Sequence, residues 1–133
     1  NMSDEAWTVV KTTPGDEGKW FAAAKDAGLY QEALALASRT PCDPKALARA
    51  ARDYAEKQSA FSVGAGLLSL YWLVQGYGYE ITSADVWAAY SSTMKAAETN
   101  GSADEIRERV KKLVAGEKPG GFVRRILARE LGL

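Results

Sequence analysis

The 133-residue chain has no histidine, a single cysteine and no excess charge of either sign. Without imidazole there is no Ser-His-Asp triad, no Cys-His dyad, no HExxH metal site and no zinc finger that needs histidine. One cysteine, Cys42, excludes an intramolecular disulfide and with it a disulfide-built secreted scaffold. The 17 basic and 17 acidic side chains cancel, so no global charge draws the chain to nucleic acid or to an anionic membrane. The longest apolar run, Ala60 to Val74, is broken by Ser62 and Ser69. It falls short of the roughly 18–20 residues that a membrane span requires and reads as a buried helix. No basic, apolar leader opens the chain, and a reducing cytoplasm is the expected setting. Asn1 ahead of Met2 suggests a piece of a longer protein, and residues 1–133 are read as one all-helical domain of it.

What the chain does have is alanine, with apolar residues recurring every three or four positions. That period is helical, and no segment alternates as a strand would. Seven or eight helices are expected. A short one spans Asp4 to about Val10. A second begins at Asp16 and turns Trp20, Phe21, Ala24 and Ala27 inward; Gly28 ends it. A third covers Leu29 to Ser38. Asp43 is a natural N-cap with Pro44 in the first turn, opening a helix that buries Leu47, Ala50, Ala51 and Tyr54. Its other face carries Lys45, Arg49, Arg52, Asp53 and Glu56. Ser59 is expected to cap the next helix, apolar nearly all round, whose Gly64 and Gly66 would admit a close neighbour. Thr82 with Asp85, and more closely Ser102 with Glu105, are spaced as capping boxes. The helices they open turn Val86, Trp87, Tyr90, Met94 and Ala97, then Ile106, Val110, Leu113 and Val114, toward the core. A last helix carries Phe122, Val123, Ile126, Leu127 and Leu131.

The stretch from Trp20 to Leu34 resembles a degenerate tetratricopeptide unit. The likeness lies in an alanine-rich first helix, the corner Gly28-Leu29-Tyr30-Gln31-Glu32-Ala33-Leu34, and a proline after the second helix. A weaker echo runs from Ala96 to Ile106, with Gly101 standing two repeat lengths after Gly28. Only the first of these stretches matches well, and Ala37 stands where the family usually has a large aromatic. Thr13 to Lys25 is also similar to helical C-terminal regions of uncharacterised bacterial proteins, some with a SWIM-type zinc finger upstream. The first resemblance implies stacked antiparallel hairpins in a right-handed superhelix; the second implies a fragment of a larger bacterial protein and brings no catalytic residue with it.

Candidate chemistry is thin. Gly64-Ala65-Gly66 and Gly76-Tyr77-Gly78 begin like dinucleotide fingerprints, but no strand precedes them and the third glycine is missing. Gly15 to Lys19 fails as a phosphate loop because Trp20 stands where Ser or Thr belongs. Asp53 with Glu56, and Asp104 with Glu105 and Glu108, sit among basic residues at helical spacing and read as solvated ion-pair faces. Glu80, in an aromatic loop, and Cys42, between two prolines, read as structural. The sequons at Asn1 and Asn100 are chance matches in a cytoplasmic protein. Two sets remain. Tyr71, Trp72, Tyr77, Tyr79, Trp87 and Tyr90 cluster between positions 71 and 90, and such side chains anchor binding surfaces as well as cores. Residues 102–133 hold eight basic against five acidic side chains, leaving +3, and Arg124, Arg125 and Arg129 could form a phosphate-contacting stripe.

The expectation is an all-α chain of antiparallel hairpins stacked as a tetratricopeptide-like superhelix, with a compact helical bundle as the alternative. Its expected role is a non-catalytic module that binds or scaffolds a protein partner, without cofactor, metal or membrane. The alternative role is nucleic-acid association through the three arginines. An enzyme would have to run on carboxylate, tyrosine or lysine chemistry alone.

Overall fold

Short polar residues and glycines set the helix boundaries, and the computed structural model shows how. It describes residues 17–118 and 120–133. Those residues form seven helices and no strand: α1 (Glu17–Asp26), α2 (Tyr30–Arg39), α3 (Pro44–Tyr54), α4 (Ser59–Val74), α5 (Ser83–Thr99), α6 (Ala103–Ala115) and α7 (Phe122–Leu131). The helix expected at Asp4–Val10 lies outside the described residues. The described residues divide into two compact units, the first ending at Cys42 and the second beginning at Asp43.

In the first unit α1 and α2 pack on one another. Phe21, Ala24, Ala33, Leu36 and Ala37 are buried; Trp20 is half-buried and Ala27 exposed. The corner between the helices is a closed C-terminal turn. Leu29 N–H donates to the Ala24 carbonyl at 2.8 Å and Gly28 N–H to Lys25 at 3.0 Å. Gly28 takes φ +78°, which an L side chain rarely adopts. The same pair of bonds closes α5 at Gly101, where Ser102 N–H reaches the Ala97 carbonyl at 2.8 Å. Gly76 and Gly132 end α4 and α7 alike. The same ending therefore closes four of the helices, at Gly28, Gly76, Gly101 and Gly132.

The second unit is organised around α4, which touches α3, α5, α6 and α7. Its core joins Val63, Leu70 and Leu73 of α4 to Val86, Ala89, Tyr90, Ala96 and Ala97 of α5. Ile106, Val110 and Val114 of α6 and Val123, Leu127 and Leu131 of α7 complete it. Two polar residues interrupt α4, and both are fully buried. Ser62 Oγ donates to the Ala51 carbonyl, and Ser69 Oγ to the Pro44 carbonyl at 2.7 Å. The two donors are as far apart along α4 as the two acceptors are along α3, in the opposite direction. The two bonds therefore fix the register of antiparallel α3 and α4. Gly66 has a different task. A Cβ there would stand 2.9 Å from Thr93 Cβ and closer still to its hydroxyl. Glycine is what lets α5 approach so near.

The helix starts partly differ from expectation. Asp43 caps α3 as expected, accepting from Lys45 N–H at 3.0 Å. Gln58, not Ser59, holds the cap position of α4. The capping box forms at Thr82, whose N–H donates to the Asp85 carboxylate at 2.8 Å. It does not form at Ser102, which makes no side-chain cap bond. Ser102 directly follows the closing turn of α5, and its φ of −118° and ψ of 20° are not the extended backbone that aims a capping oxygen at the N–H groups of the first turn. Trp87 is exposed rather than inward, and Phe122 is exposed as well. Each sits one residue off its helix's buried stripe, beside Val86 and Val123, and one residue is about 100° of helical rotation. Among the described residues no helix is long and apolar enough to cross a membrane.

Candidate functional site

The six aromatic residues separate into two buried bases and four surface rings. Tyr79 is 80% exposed, Tyr77 46%, Trp87 40% and Tyr71 37%, whereas Trp72 and Tyr90 are buried. The two buried rings belong to the packed interior, since they occupy the inward positions of α4 and α5. Trp72 is the support for a first group. Tyr71 meets it edge-on at 4.8 Å between centroids and Tyr77 at 5.3 Å. The end of α4 dictates the second contact: Tyr77 N–H donates to the Trp72 carbonyl at 2.9 Å, which folds the Tyr77 ring back over the indole. Tyr90 supports a second group, with Trp87 leaning on it at 6.0 Å. Tyr79 stands in the loop between them. Its neighbour Glu80 adopts φ +50°, a left-handed conformation uncommon for a non-glycine residue, and its carbonyl accepts from Lys45 Nζ at 3.3 Å.

Tyr90 is itself anchored. Burial pushes its phenol above the usual tyrosine range, a hydrogen bond from Arg107 pulls it partly back, and Glu130 adds to the rise. Arg107 donates to the Glu130 backbone carbonyl, so its guanidinium ties α6 to α7. The exposed Trp87 therefore rests on a fixed base.

Of the three arginines of the alternative reading, Arg124 is engaged within the fold. The Glu117 carboxylate accepts from Arg124 N–H at 2.7 Å, placing an anion at the start of α7. In return the Arg124 guanidinium donates to the carbonyls of Glu117 at 3.3 Å and Ala115 at 3.4 Å. Arg124 thus clasps the α6–α7 turn, leaving Arg125 and Arg129 as the exposed members. Cys42 is buried. Arg52 and Asp53 pair at 2.9 Å on an exposed face. Among the described residues, no group of three or more acidic or cysteine side chains is placed to hold a metal ion.

Sequence reasoning passed over a groove of about 210 Å³ beside α3 and α5. Pro44, Ala48, Leu73, Ile81 and Ala88 give it an apolar lining, and Lys45, Arg49, Arg52 and Asp85 surround that lining. Lys45 pairs with Asp85 at 3.9 Å. The signal was present in the Asp43-Pro44 start, which fixes the phase of α3 and puts the three cations on one face. What the phase alone does not say is that α5 lies alongside that face.

No family model, curated protein or solved structure matches the chain.

Proposed function

We propose that the chain is a non-catalytic helical module that holds a protein partner on the aromatic surface around the α4–α5 loop. The observation that carries this reading is the exposure of Tyr71, Tyr77, Tyr79 and Trp87, close together in sequence, with Trp72 and Tyr90 as rigid supports. Rings of this kind give large contact area, and for Tyr71, Tyr77 and Trp87 contact with a buried ring lowers the entropic cost of ordering them. The α1–α2 hairpin and its Gly28 corner support a tetratricopeptide-like arrangement. The way α4 touches the four other helices of its unit supports the compact-bundle alternative there. The buried lone cysteine accords with a reducing compartment. Arg125 and Arg129 favour the nucleic-acid alternative, and the structural engagement of Arg124 weighs against it.

The test is affinity capture by the full chain from its native cells, with and without nuclease. The expected result is one stoichiometric protein that survives nuclease and is lost with the Tyr77→Ala/Tyr79→Ala/Trp87→Ala variant. Recovery that vanishes with nuclease, or that the triple variant leaves unchanged, would overturn the proposal.

A further inference from the structure

We infer that the groove beside α3 and α5 seats an acidic amphipathic segment of a partner protein. Apolar side chains of that segment lie on Ala48, Leu73, Ile81 and Ala88, and its carboxylates meet Arg49 and Arg52. This rests on the protein-interaction reading and gives the partner its chemistry.

The argument begins with charge. Three cations and one carboxylate surround the groove. Asp85 engages Lys45 at 3.9 Å, and Lys45 also donates to the Glu80 carbonyl at 3.3 Å. Arg52 gives one N–H to Asp53, and both side chains stay more than half exposed. A guanidinium has five N–H donors in a planar fork, so most of that fork still faces outward. Arg49 is exposed and, among the described residues, makes no hydrogen bond or ion pair. Arg49 and Arg52 are three positions apart on one helix face, where side-chain bases lie about 5–6 Å from each other. Carboxylates on successive turns of an acidic helix have the same spacing.

Shape and lining select the class of ligand. About 210 Å³ is below the roughly 300–1,000 Å³ of pockets that enclose small-molecule ligands, and suits protruding side chains. The lining contains no aromatic ring on which a base could stack. A peptide with leucine on one face and glutamate on the other meets both the apolar lining and the cations.

Fluorescence anisotropy with the full chain tests this. The probes are a short fluorescein-labelled peptide with leucine at helical spacing and glutamate elsewhere, its lysine counterpart, and labelled oligothymidylate. The glutamate peptide should bind saturably and weaken as salt rises, and the lysine peptide should not bind. Arg49→Glu/Arg52→Glu should lower its affinity at least about tenfold, with Arg49→Ala intermediate. Both arginines are exposed, and an unchanged circular dichroism spectrum verifies folding. The proposal is overturned if the glutamate peptide does not bind, if charge reversal has no effect, or if oligothymidylate displaces it. The broader interaction reading is judged separately by capture of the native partner. It stands if the aromatic variant loses that partner, whatever the peptide does.

Discussion

At the scale of single residues, the firmest consequences concern side chains whose neighbours leave no latitude. Gly66 faces Thr93 so closely that any Cβ forces α4 and α5 apart. Gly66→Ala gains helix propensity of about 1 kcal/mol, yet overpacking typically costs about 1–3 kcal/mol. Net destabilisation of Gly66→Ala in urea unfolding is expected, with part of it recovered on adding Thr93→Ala. If Gly66→Ala alone raised stability, the close approach of the two helices would be wrong. Tyr90 gives a pH signature. Its phenol is raised in the folded state, so the folded chain holds that proton more tightly than the unfolded chain. The associated stability is complete below about pH 10, the unfolded value, and is lost as pH rises through the higher folded value. Unfolding followed from about pH 8 to pH 11 should therefore show a steeper alkaline loss in the native sequence than in Tyr90→Phe; equal slopes would count against the Tyr90 assignment.

At the scale of elements, α4 carries most of the design. Its apolar surroundings were legible in the sequence, because a helix apolar on all faces has to sit among other helices. Ser62 and Ser69 were legible only as interruptions; which carbonyls they reach depends on the register of α3, which no local pattern encodes. Replacing either serine by alanine should cost about 1 kcal/mol. The two effects should add to within about 0.5 kcal/mol, since the bonds lie at opposite ends of the helix pair. Strong non-additivity in denaturant titrations would mean that the bonds do not act as separate register pins. Other parts read less faithfully. Asp43-Pro44 announced α3 correctly because cap and first turn are local. Ser102 misled because the closing turn of α5 already fixes its backbone. Trp87 misled because apolar identity does not fix inward direction, and it lies one residue off the buried stripe. The aromatic set could be named from sequence, but its separation into supports and surface rings could not. The groove stayed hidden because Lys45, Arg49 and Arg52 look like a solvated face until α5 is placed beside them.

At the scale of the whole molecule, the described residues are a helical framework on which Tyr71, Tyr77 and Trp87 lean on buried rings while Tyr79 stands free of ring contacts. The missing histidine and the failed glycine motifs take many enzyme classes away. On the proposed reading, Tyr71, Tyr77, Tyr79 and Trp87 form the partner surface, and the cationic groove sets the chemistry of what it accepts. The most direct measurement is photo-crosslinking in the native cell, with a benzophenone side chain placed in turn at Tyr79, Trp87 and Arg125. The account predicts one protein adduct, shared by positions 79 and 87, and none at 125. Absence of a protein adduct at both aromatic positions, or nucleic-acid adducts at 125 in their place, would contradict it.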